Sequence, residues 1–308
     1  MASSAAAANP GVFSGVRTIR SWKRHGERFL HRKPSRKVCV VQIESKKREP
    51  RQFWMSRDRL APDPARKCWF PYKDEFNLDE QTRISSEMVI GTLDPMFAAD
   101  RKQKFDQIIA NRTFSICPVV EGLFDIGNIC AVFRTAEAFG LQSVHVIANS
   151  DQKRYKEARN ISMGAEKWLD VEVWENTNEC VQVLRKRGYR IAVTDMGADT
   201  VPIHELDWTI PTAVIFGNEH NGTSEEALAL ADVKCHIPMV GMVDSFNVSV
   251  AAGILMYHVV GDRLERTGIH GDLSSEEQQI LRAEFYLRNK RNVKDVVNHL
   301  LKKELVLT

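Results

Sequence analysis

The sequence predicts an α/β protein with a parallel β-sheet that is covered by helices on both faces. From about residue 94 onward, short apolar strand patterns alternate with amphipathic helix patterns, which is typical of a parallel sheet. The stretch PTAVIFG is apolar almost throughout, as expected of a strand buried on both of its faces. A chain of 308 residues is long enough to bury the core that such a sheet requires.

The first half of this region predicts two helices and three strands. Asp94 and Pro95 stand where a helix begins, and apolar residues recur at helical spacing after them. Gly140 stands where the second helix ends, because glycine readily takes the left-handed conformation that follows a helix. In order, the segments are the helix MFAADRKQKFDQIIANR, the strand FSICPVVEGL, the helix NICAVFRTAEAFG, and the strands SVHVIAN and WLDVEVWEN.

The second half predicts three helices and three strands. Gly188 ends the first of these helices, and Thr223 or Ser224 caps the second. Ser245 caps the third, with Asn247 in its first turn. In order, the segments are the helix NECVQVLRKRG, the strands YRIAVTDM and PTAVIFG, the helix TSEEALALA, the strand VKCHIPM and the long helix SFNVSVAAGILMYHVVGDRLER.

The chain divides into four segments. Residues 94–268 form the α/β domain, and residues 269–308 form a helical extension that opens with Ser274 and Glu277 at capping-box spacing. Residues 41–93 are an N-terminal extension without an assignable role. Residues 1–40 are rich in Ala, Ser and Arg, with no acidic residue before Glu27. They predict a transit peptide for a plastid or mitochondrion or, alternatively, a disordered basic arm that touches RNA; without a transit peptide the expected location is cytoplasmic.

The composition argues against several classes of protein. At 43% hydrophobic and 27% charged residues, it is typical of a soluble globular protein. No apolar run is long enough to cross a bilayer, so we expect no membrane partner. The six cysteines are widely spaced, and neither they nor the histidines have the spacing of metal ligands, so we expect no disulfide framework and no metal.

Three loops that follow strands carry unusual polar residues. The carboxyl ends of parallel strands share one edge of the sheet, which is where ligands bind. The first loop leads into a helix with Asn128 and Arg134, whose separation of six residues is not a clean helical interval. The second carries Glu219 between two glycines, and the third places Ser245 and Asn247 among apolar residues. Taken alone, Asn128 and Arg134 are more typical of a helix cap and a surface charge than of a site, and Glu219 of a tight turn with a capping carboxylate.

Taken together, NICAVFRTAEAFG, FGNEHNGTS and IPMVGMVDSFNVSVAAG resemble the three ordered motifs of the SpoU/TrmH branch of the SPOUT methyltransferases. The resemblance runs from about Asp94 to Arg266, and LSSEEQQILRAEFYLR is similar to the C-terminal extension of TrmH-type enzymes. Three motifs in order are far more specific than any one of them. The resemblance implies that the parallel-sheet domain ends in a deep trefoil knot and that the protein is an RNA 2′-O-ribose methyltransferase using S-adenosylmethionine.

The resemblance also implies which residues act. Arg134 would activate the ribose hydroxyl, either as a base or by gripping a phosphate and stabilising the developing alkoxide. Cys130 and Phe246 depart from the usual small residue and leucine of the motifs, and Phe246 would touch the adenine pocket. The catalytic set is Asn128, Arg134, Glu219, Ser245 and Asn247. The cofactor-binding set is Thr194, Phe216, Gly217, Asn218, Glu219, Gly222, Ile237, Met239, Ser245, Phe246 and Asn247.

The expected partners are RNA and a second copy of the chain. A tRNA is the favoured substrate, modified at a guanosine in the D-loop region, because the third motif and the tail look TrmH-like. Ribosomal RNA is the alternative substrate, and a non-catalytic RNA-binding protein that keeps the fold is the alternative class. The resemblance further implies a homodimer formed through the knot region.

Overall fold

A computed structural model describes residues 55–57, 69–77, 83–123, 125–147, 162–218 and 220–289. A small antiparallel sheet, in the order β1-β2-β3, comes first in the chain: β1 (Met55–Arg57), β2 (Tyr72–Asn77) and β3 (Arg83–Ile84). The main sheet has seven strands, all of them parallel, in the order β6-β5-β4-β9-β7-β10-β8. They are β4 (Ile116–Glu121), β5 (Ser143–Ile147), β6 (Asp170–Trp174), β7 (Arg190–Thr194), β8 (Val201–Pro202), β9 (Thr212–Phe216) and β10 (Val233–His236).

The helices of the described residues lie on both faces of this sheet, so the predicted α/β class with a parallel sheet is confirmed. In β9, Ala213 and Ile215 face one core while Val214 and Phe216 face the other, and all four are buried. The helices are α1 (Ser86–Leu93), α2 (Ala99–Ala110), α3 (Ile126–Ala138), α4 (Thr177–Lys186), α5 (Glu225–Ala229), α6 (Val248–Thr267) and α7 (Ser275–Asn289), and 3₁₀ turns span Asp94–Met96, Ala165–Lys167 and Ile203–Glu205. No helix within the described ranges is long and apolar enough to span a membrane.

Several predicted helix ends are confirmed, but the helix start predicted at Asp94 and Pro95 is wrong. A 3₁₀ turn spans Asp94–Met96, and α2 begins at Ala99. Ser224, rather than Thr223, caps α5 by accepting a hydrogen bond from the Ala227 amide. Ser274 and Glu277 form the predicted capping box of α7 through reciprocal hydrogen bonds of 2.8 and 3.3 Å. Gly140 has a φ of +74°, and a Cβ there would lie 2.4 Å from the Asn111 carbonyl oxygen, so glycine is required on two counts.

The predicted cap of α6 is wrong. The helix begins at Val248, and its N-cap is Asn247 rather than Ser245. The Oδ1 atom of Asn247 accepts hydrogen bonds from the amide and the hydroxyl of Ser249, at 2.9 and 2.6 Å. Asn and Ser are equally good caps by intrinsic preference, so the tertiary path of the loop decides which residue takes the position.

The described parts of the N-terminal extension and of the tail share a core with the α/β domain. Trp69, Tyr72 and Phe76 pack in the same buried cluster as Phe285 and Tyr286 of α7. The four segment boundaries stay predictions, since residues 1–54 and 290–308 lie outside the described residues. The transit-peptide prediction for residues 1–40 falls entirely within that first range.

The strand order at one edge of the sheet is unusual. β7 and β8 follow one another in the chain, yet β10 lies between them and pairs with both. Hydrogen bonds join the connecting segment to β10, from the Asp195 amide to the Cys235 carbonyl and between Thr200 and His236. A threaded chain requires such an arrangement, in which a later strand, here β10, lies within the connection between two earlier strands, β7 and β8. The trefoil knot itself stays a prediction.

Candidate active site

The three motif loops lie at one edge of the main sheet. β4, β9, β7 and β10 are adjacent and parallel, so the segments that follow them emerge on the same side. These segments are the start of α3 after β4, the loop 217–224 after β9 and the loop 237–247 after β10. The sheet order therefore brings together polar residues that are separated by more than a hundred positions in the sequence.

Asn128 and Asn247 make the contact that joins the first motif to the third. The side-chain Nδ2 of Asn247 donates a hydrogen bond to Oδ1 of Asn128, 3.2 Å away. Asp125 caps α3 by accepting from the Gly127 amide at 2.7 Å, which places Asn128 in the first turn of that helix. Asn247 is held in turn by its role as N-cap of α6. Two helix N-termini thus converge on one pair of amide side chains.

The loop after β9 is closed by its own backbone. Asn218 and Gly222 exchange two backbone hydrogen bonds of 2.8 Å, and Oδ1 of Asn218 accepts from the amides of His220 and Asn221. A Cβ on Gly217 would lie 2.3 Å from the Thr223 nitrogen, so this glycine serves the closure of the loop. Gly222 takes a φ of +68°. The predicted residue Glu219 lies outside the described residues.

The loop is also tied to the neighbouring strands. The Nδ2 of Asn218 donates to the Gly122 carbonyl at 2.7 Å, and Thr223 Oγ1 donates to the Thr194 carbonyl at 2.7 Å. Thr194 Oγ1 in turn donates to the Ile215 carbonyl, and Phe216 is buried beneath the loop. Thr194, Phe216 and Asn218 therefore hold the loop in place.

Glu121 is a structural anchor of this loop that the sequence analysis missed. Its buried carboxylate at the end of β4 accepts hydrogen bonds from the amide and hydroxyl of Ser224 at 3.0 and 2.7 Å. It also accepts one of 2.5 Å from Thr177 Oγ1 at the start of α4. An acidic residue directly after an apolar strand was the available signal. A buried carboxylate needs partners, and here they come from two helix N-termini.

The loop 237–247 has an exposed apolar surface. Val240 and Met242 are essentially fully exposed, at 104% and 99%, and Val243 and Phe246 are exposed as well. Ile237 and Met239 at its start are half-buried. Ser245 is exposed, and makes no hydrogen bond with any residue that the structure describes. Apolar side chains in this number do not favour contact with water, so the loop is suited to being covered by a ligand or a second chain.

Arg134 does not lie against the Asn128–Asn247 pair. It is exposed and lines a groove between α2 and α3, together with Arg101, Lys104 and Trp168. Six residues of helix separate it from Asn128, a rise of about 9 Å with a rotation of roughly 120°. The structure agrees with the expectation from their spacing that the two side chains need not point the same way. The site therefore has two parts, an amide pair at the loop edge and a cationic groove along α3.

The cysteines near the site are not nucleophiles. Burial raises the pKa of the Cys130 thiol, and burial raises that of Cys235 to about 12. A thiol is reactive as its thiolate, so both remain inert near neutral pH. Within the described ranges, no group of three or more His, Cys, Asp or Glu side chains is placed to hold a metal ion.

Comparison with known proteins is in accord with this geometry. Residues 116–257 match the model of the SpoU rRNA Methylase family. The tRNA (guanosine(18)-2'-O)-methyltransferase of Borreliella burgdorferi is 30% identical over 211 residues, which cover 68% of this chain and 94% of that relative. The Thermus thermophilus enzyme of the same name is 34% identical over 166 residues, covering 54% of this chain and 84% of the relative. The A. aeolicus TrmH/SpoU tRNA modifying enzyme superposes with a TM-score of 0.58 at 29% identity, covering 63% of this chain and 98% of that one.

The chain therefore belongs to the SpoU/TrmH family of RNA 2′-O-ribose methyltransferases. S-adenosylmethionine is the methyl donor of this family. The residues of the motif loops have the chemistry that binding of S-adenosylmethionine needs. The loop 238–247 exposes peptide groups for hydrogen bonding beside apolar side chains for an adenine ring, and Gly241 has open space where a Cβ would stand.

Proposed function

We propose that this protein methylates the ribose 2′-hydroxyl of a guanosine in the D-loop region of tRNA, using S-adenosylmethionine. The observation that carries the proposal is the 3.2 Å hydrogen bond between Asn247 and Asn128, which joins the first and third motifs at the edge of the sheet. The similarity to enzymes named for guanosine 18 of tRNA, over nearly the whole length of one of them, supports this choice of substrate.

The cofactor site consists of the loops after β7, β9 and β10. Thr194, Gly217, Asn218 and Gly222 build its rigid wall, and the exposed loop 237–247, with Phe246, supplies the apolar surface for the adenine. S-adenosylmethionine, when bound, supplies a sulfonium methyl group, whose transfer needs little activation beyond alignment.

Arg134 and the amide pair act on the RNA in this proposal. A guanidinium remains protonated near neutral pH, so Arg134 binds the phosphate next to the target ribose and stabilises the charge that develops on its oxygen. Asn128, Ser245 and Asn247 orient the ribose through hydrogen bonds, and Glu219 orients the loop that carries it. The proton that the hydroxyl loses passes to solvent water, because Ser245 and Asn247 lie at an exposed edge of the sheet.

A homodimer is part of the proposal. Val250, Tyr257 and Leu264 lie at seven-residue intervals along α6, and each is exposed. Val240 and Met242, in the loop that precedes this helix, are exposed apolar residues as well. Regular apolar spacing along one exposed helix face favours packing against another helix. Sedimentation of the full-length chain tests this, with a monomer at micromolar concentration as the contradicting result.

Arg134→Ala tests the mechanism. Methyl transfer from labelled S-adenosylmethionine to tRNA is expected to fall at least about a hundredfold, because the charge stabiliser is lost. Cofactor affinity should stay unchanged, because Arg134 faces the groove along α2 rather than the loops after β7, β9 and β10. Arg185→Ala, which changes an exposed arginine on α4, serves as the matched control. Normal turnover of Arg134→Ala would remove Arg134 from the mechanism.

Mapping of 2′-O-methyl groups in RNA from cells with and without the protein tests the substrate. Loss of one methyl group in tRNA supports the proposal. Loss in ribosomal RNA instead would establish the alternative substrate, which the description of the matching family favours. No change in any RNA would support the non-catalytic alternative.

The proposed location is a plastid or mitochondrion, supported by the composition of residues 1–40. Imaging of full-length fluorescent fusions with and without these residues tests it. Cytoplasmic signal from both forms would overturn the location and leave the activity untouched.

A further inference from the structure

We infer that the groove between α2, α3 and the turn at residues 162–168 binds the RNA strand that flanks the target nucleotide. The groove has a volume of about 350 Å³ and lies beside α3 at the position of Arg134. The inference rests on the proposed function in one respect, namely that the bound RNA is the substrate of the enzyme. The binding itself follows from the residues that line the groove.

The rim of the groove is cationic. Arg101 and Lys104 on α2 face Arg134 on α3 across the opening. The one carboxylate of the lining is Glu137, which the buried Arg112 already holds at 2.8 Å. The side chains of Lys104 and Arg134 make no hydrogen bond or ion pair with another residue in the part of the chain that the structure describes. Two cations therefore face solvent across one opening without a protein counter-ion, which favours a polyanionic ligand.

The floor of the groove is apolar and partly aromatic. Trp168 is half-buried, and it packs on the buried rings of Phe105 and Phe285, with centroid distances of 5.9 and 5.2 Å. Met163 stands at the edge, 71% exposed, on a backbone with a φ of +53°. A left-handed conformation is uncommon for a residue other than glycine, and here it holds a thioether out over the groove. An apolar face beside free cations suits a ligand with flat aromatic rings, whose faces can stack on apolar side chains, and with repeated negative charges.

A single-stranded polynucleotide has this chemistry, because its phosphates pair with cations while its bases cover apolar side chains. An acidic peptide would use the cations and leave the floor and Met163 exposed. Continuity with the motif residues supports RNA further, since Arg134 belongs to both the first motif and the groove. A strand whose target ribose reaches Arg134 therefore lays its neighbouring nucleotides along α2.

Lys104→Ala in the full-length protein tests the cationic rim, by tRNA binding across a range of salt concentrations. Loss of one phosphate contact should weaken binding roughly five- to tenfold at about 0.1 M salt and lower the salt slope by about 1. Lys186→Ala is the matched control, because Lys186 is an exposed lysine on α4 that does not line the groove. Both variants lose one positive charge, so any difference between them reports position rather than net charge.

Met163→Ala tests the floor, with the exposed Met88→Ala on α1 as its control. Met163→Ala should weaken tRNA binding about threefold without changing the salt slope, since no phosphate contact is lost. Thermal unfolding of all four variants checks that the fold is intact. Equal affinities and slopes for Lys104→Ala and Lys186→Ala would overturn the inference. The assay needs no turnover, so a chain that binds tRNA through the groove but fails to methylate it would disprove the proposed function and leave this inference standing.

Discussion

Two sets of polar side chains in this protein contrast in their surroundings. Around α7, Arg288 is nearly buried and donates hydrogen bonds to Glu284, Asp170 and Tyr72 at 2.7, 2.7 and 3.1 Å. At the motif loops, by contrast, Asn247 is exposed and donates a single side-chain bond of 3.2 Å to Asn128. The first set is enclosed and densely bonded, whereas Asn247 of the second set faces solvent.

The difference shows what each set is for. Burial alone would lower the pKa of Arg288, but Glu284, Tyr72 and Asp170 raise it well above its usual range, so the guanidinium stays charged within the protein. Its partners come from α7, the edge strand β6 and the N-terminal β2, so one side chain joins three distant segments. Asn247 is exposed, so its side-chain amide can be reached from solvent, where a substrate arrives.

The largest expected effect is on the buried set. Arg288→Ala should lower the free energy of unfolding by about 3–5 kcal/mol, because it leaves Asp170 and Glu284 buried without their cation. Urea unfolding measures this. The matched control is Arg282→Ala on the same helix, whose ion pair with Asp106 is exposed and should contribute no more than about 1 kcal/mol. Equal losses in the two variants would mean that burial does not distinguish them.

An intermediate effect is expected at Glu121, which is buried but belongs to the motif loops. Glu121→Ala should cost about 1–3 kcal/mol of unfolding free energy, because Ser224 and Thr177 lose a buried acceptor. It should also weaken S-adenosylmethionine binding about tenfold, since the loop 217–224 must then be ordered on binding. Calorimetric titration with the cofactor measures the second effect.

Thr177→Val separates the two roles of Glu121. It removes the bond from α4 and leaves both bonds from Ser224, so stability should fall by about 1 kcal/mol with cofactor affinity unchanged. If Thr177→Val weakened cofactor binding as much as Glu121→Ala, the carboxylate would act through general stability rather than through the loop.

The smallest effect on stability is expected at the amide pair, in which Asn247 is exposed and Asn128 is half-buried. Asn247→Asp keeps the Oδ1 acceptor that caps α6 but loses the donor to Asn128, so unfolding should change by less than about 0.5 kcal/mol. Methyl transfer should nevertheless fall at least about tenfold, because the two motifs are no longer aligned. Ser249→Ala is the control, since it removes the hydroxyl bond to Asn247 and spares the bond to Asn128. Full activity in Asn247→Asp would show that the contact has no part in the reaction.

The sequence by itself determined six of the seven strands of the main sheet, all but β8, and the helices α2 to α7. It predicted neither the small sheet β1-β2-β3 nor α1. The uniform apolar run of β9, Gly140 and the Ser274–Glu277 box depend on local periodicity and on backbone preferences that a short segment carries alone. The motif residues, except for Glu219, which lies outside the described residues, also stand on the predicted loops and helix starts.

Only the tertiary structure decided which of these residues meet. Whether Asn247 or Ser245 caps α6, that Glu121 anchors two helices, and that Arg134 faces α2 rather than Asn128 all depend on contacts between segments far apart in the chain. The strand order β7-β10-β8 also depends on contacts between segments far apart in the chain. Local patterns report the conformation of a segment and the side it buries, whereas a contact between distant segments depends on how the whole sheet is assembled.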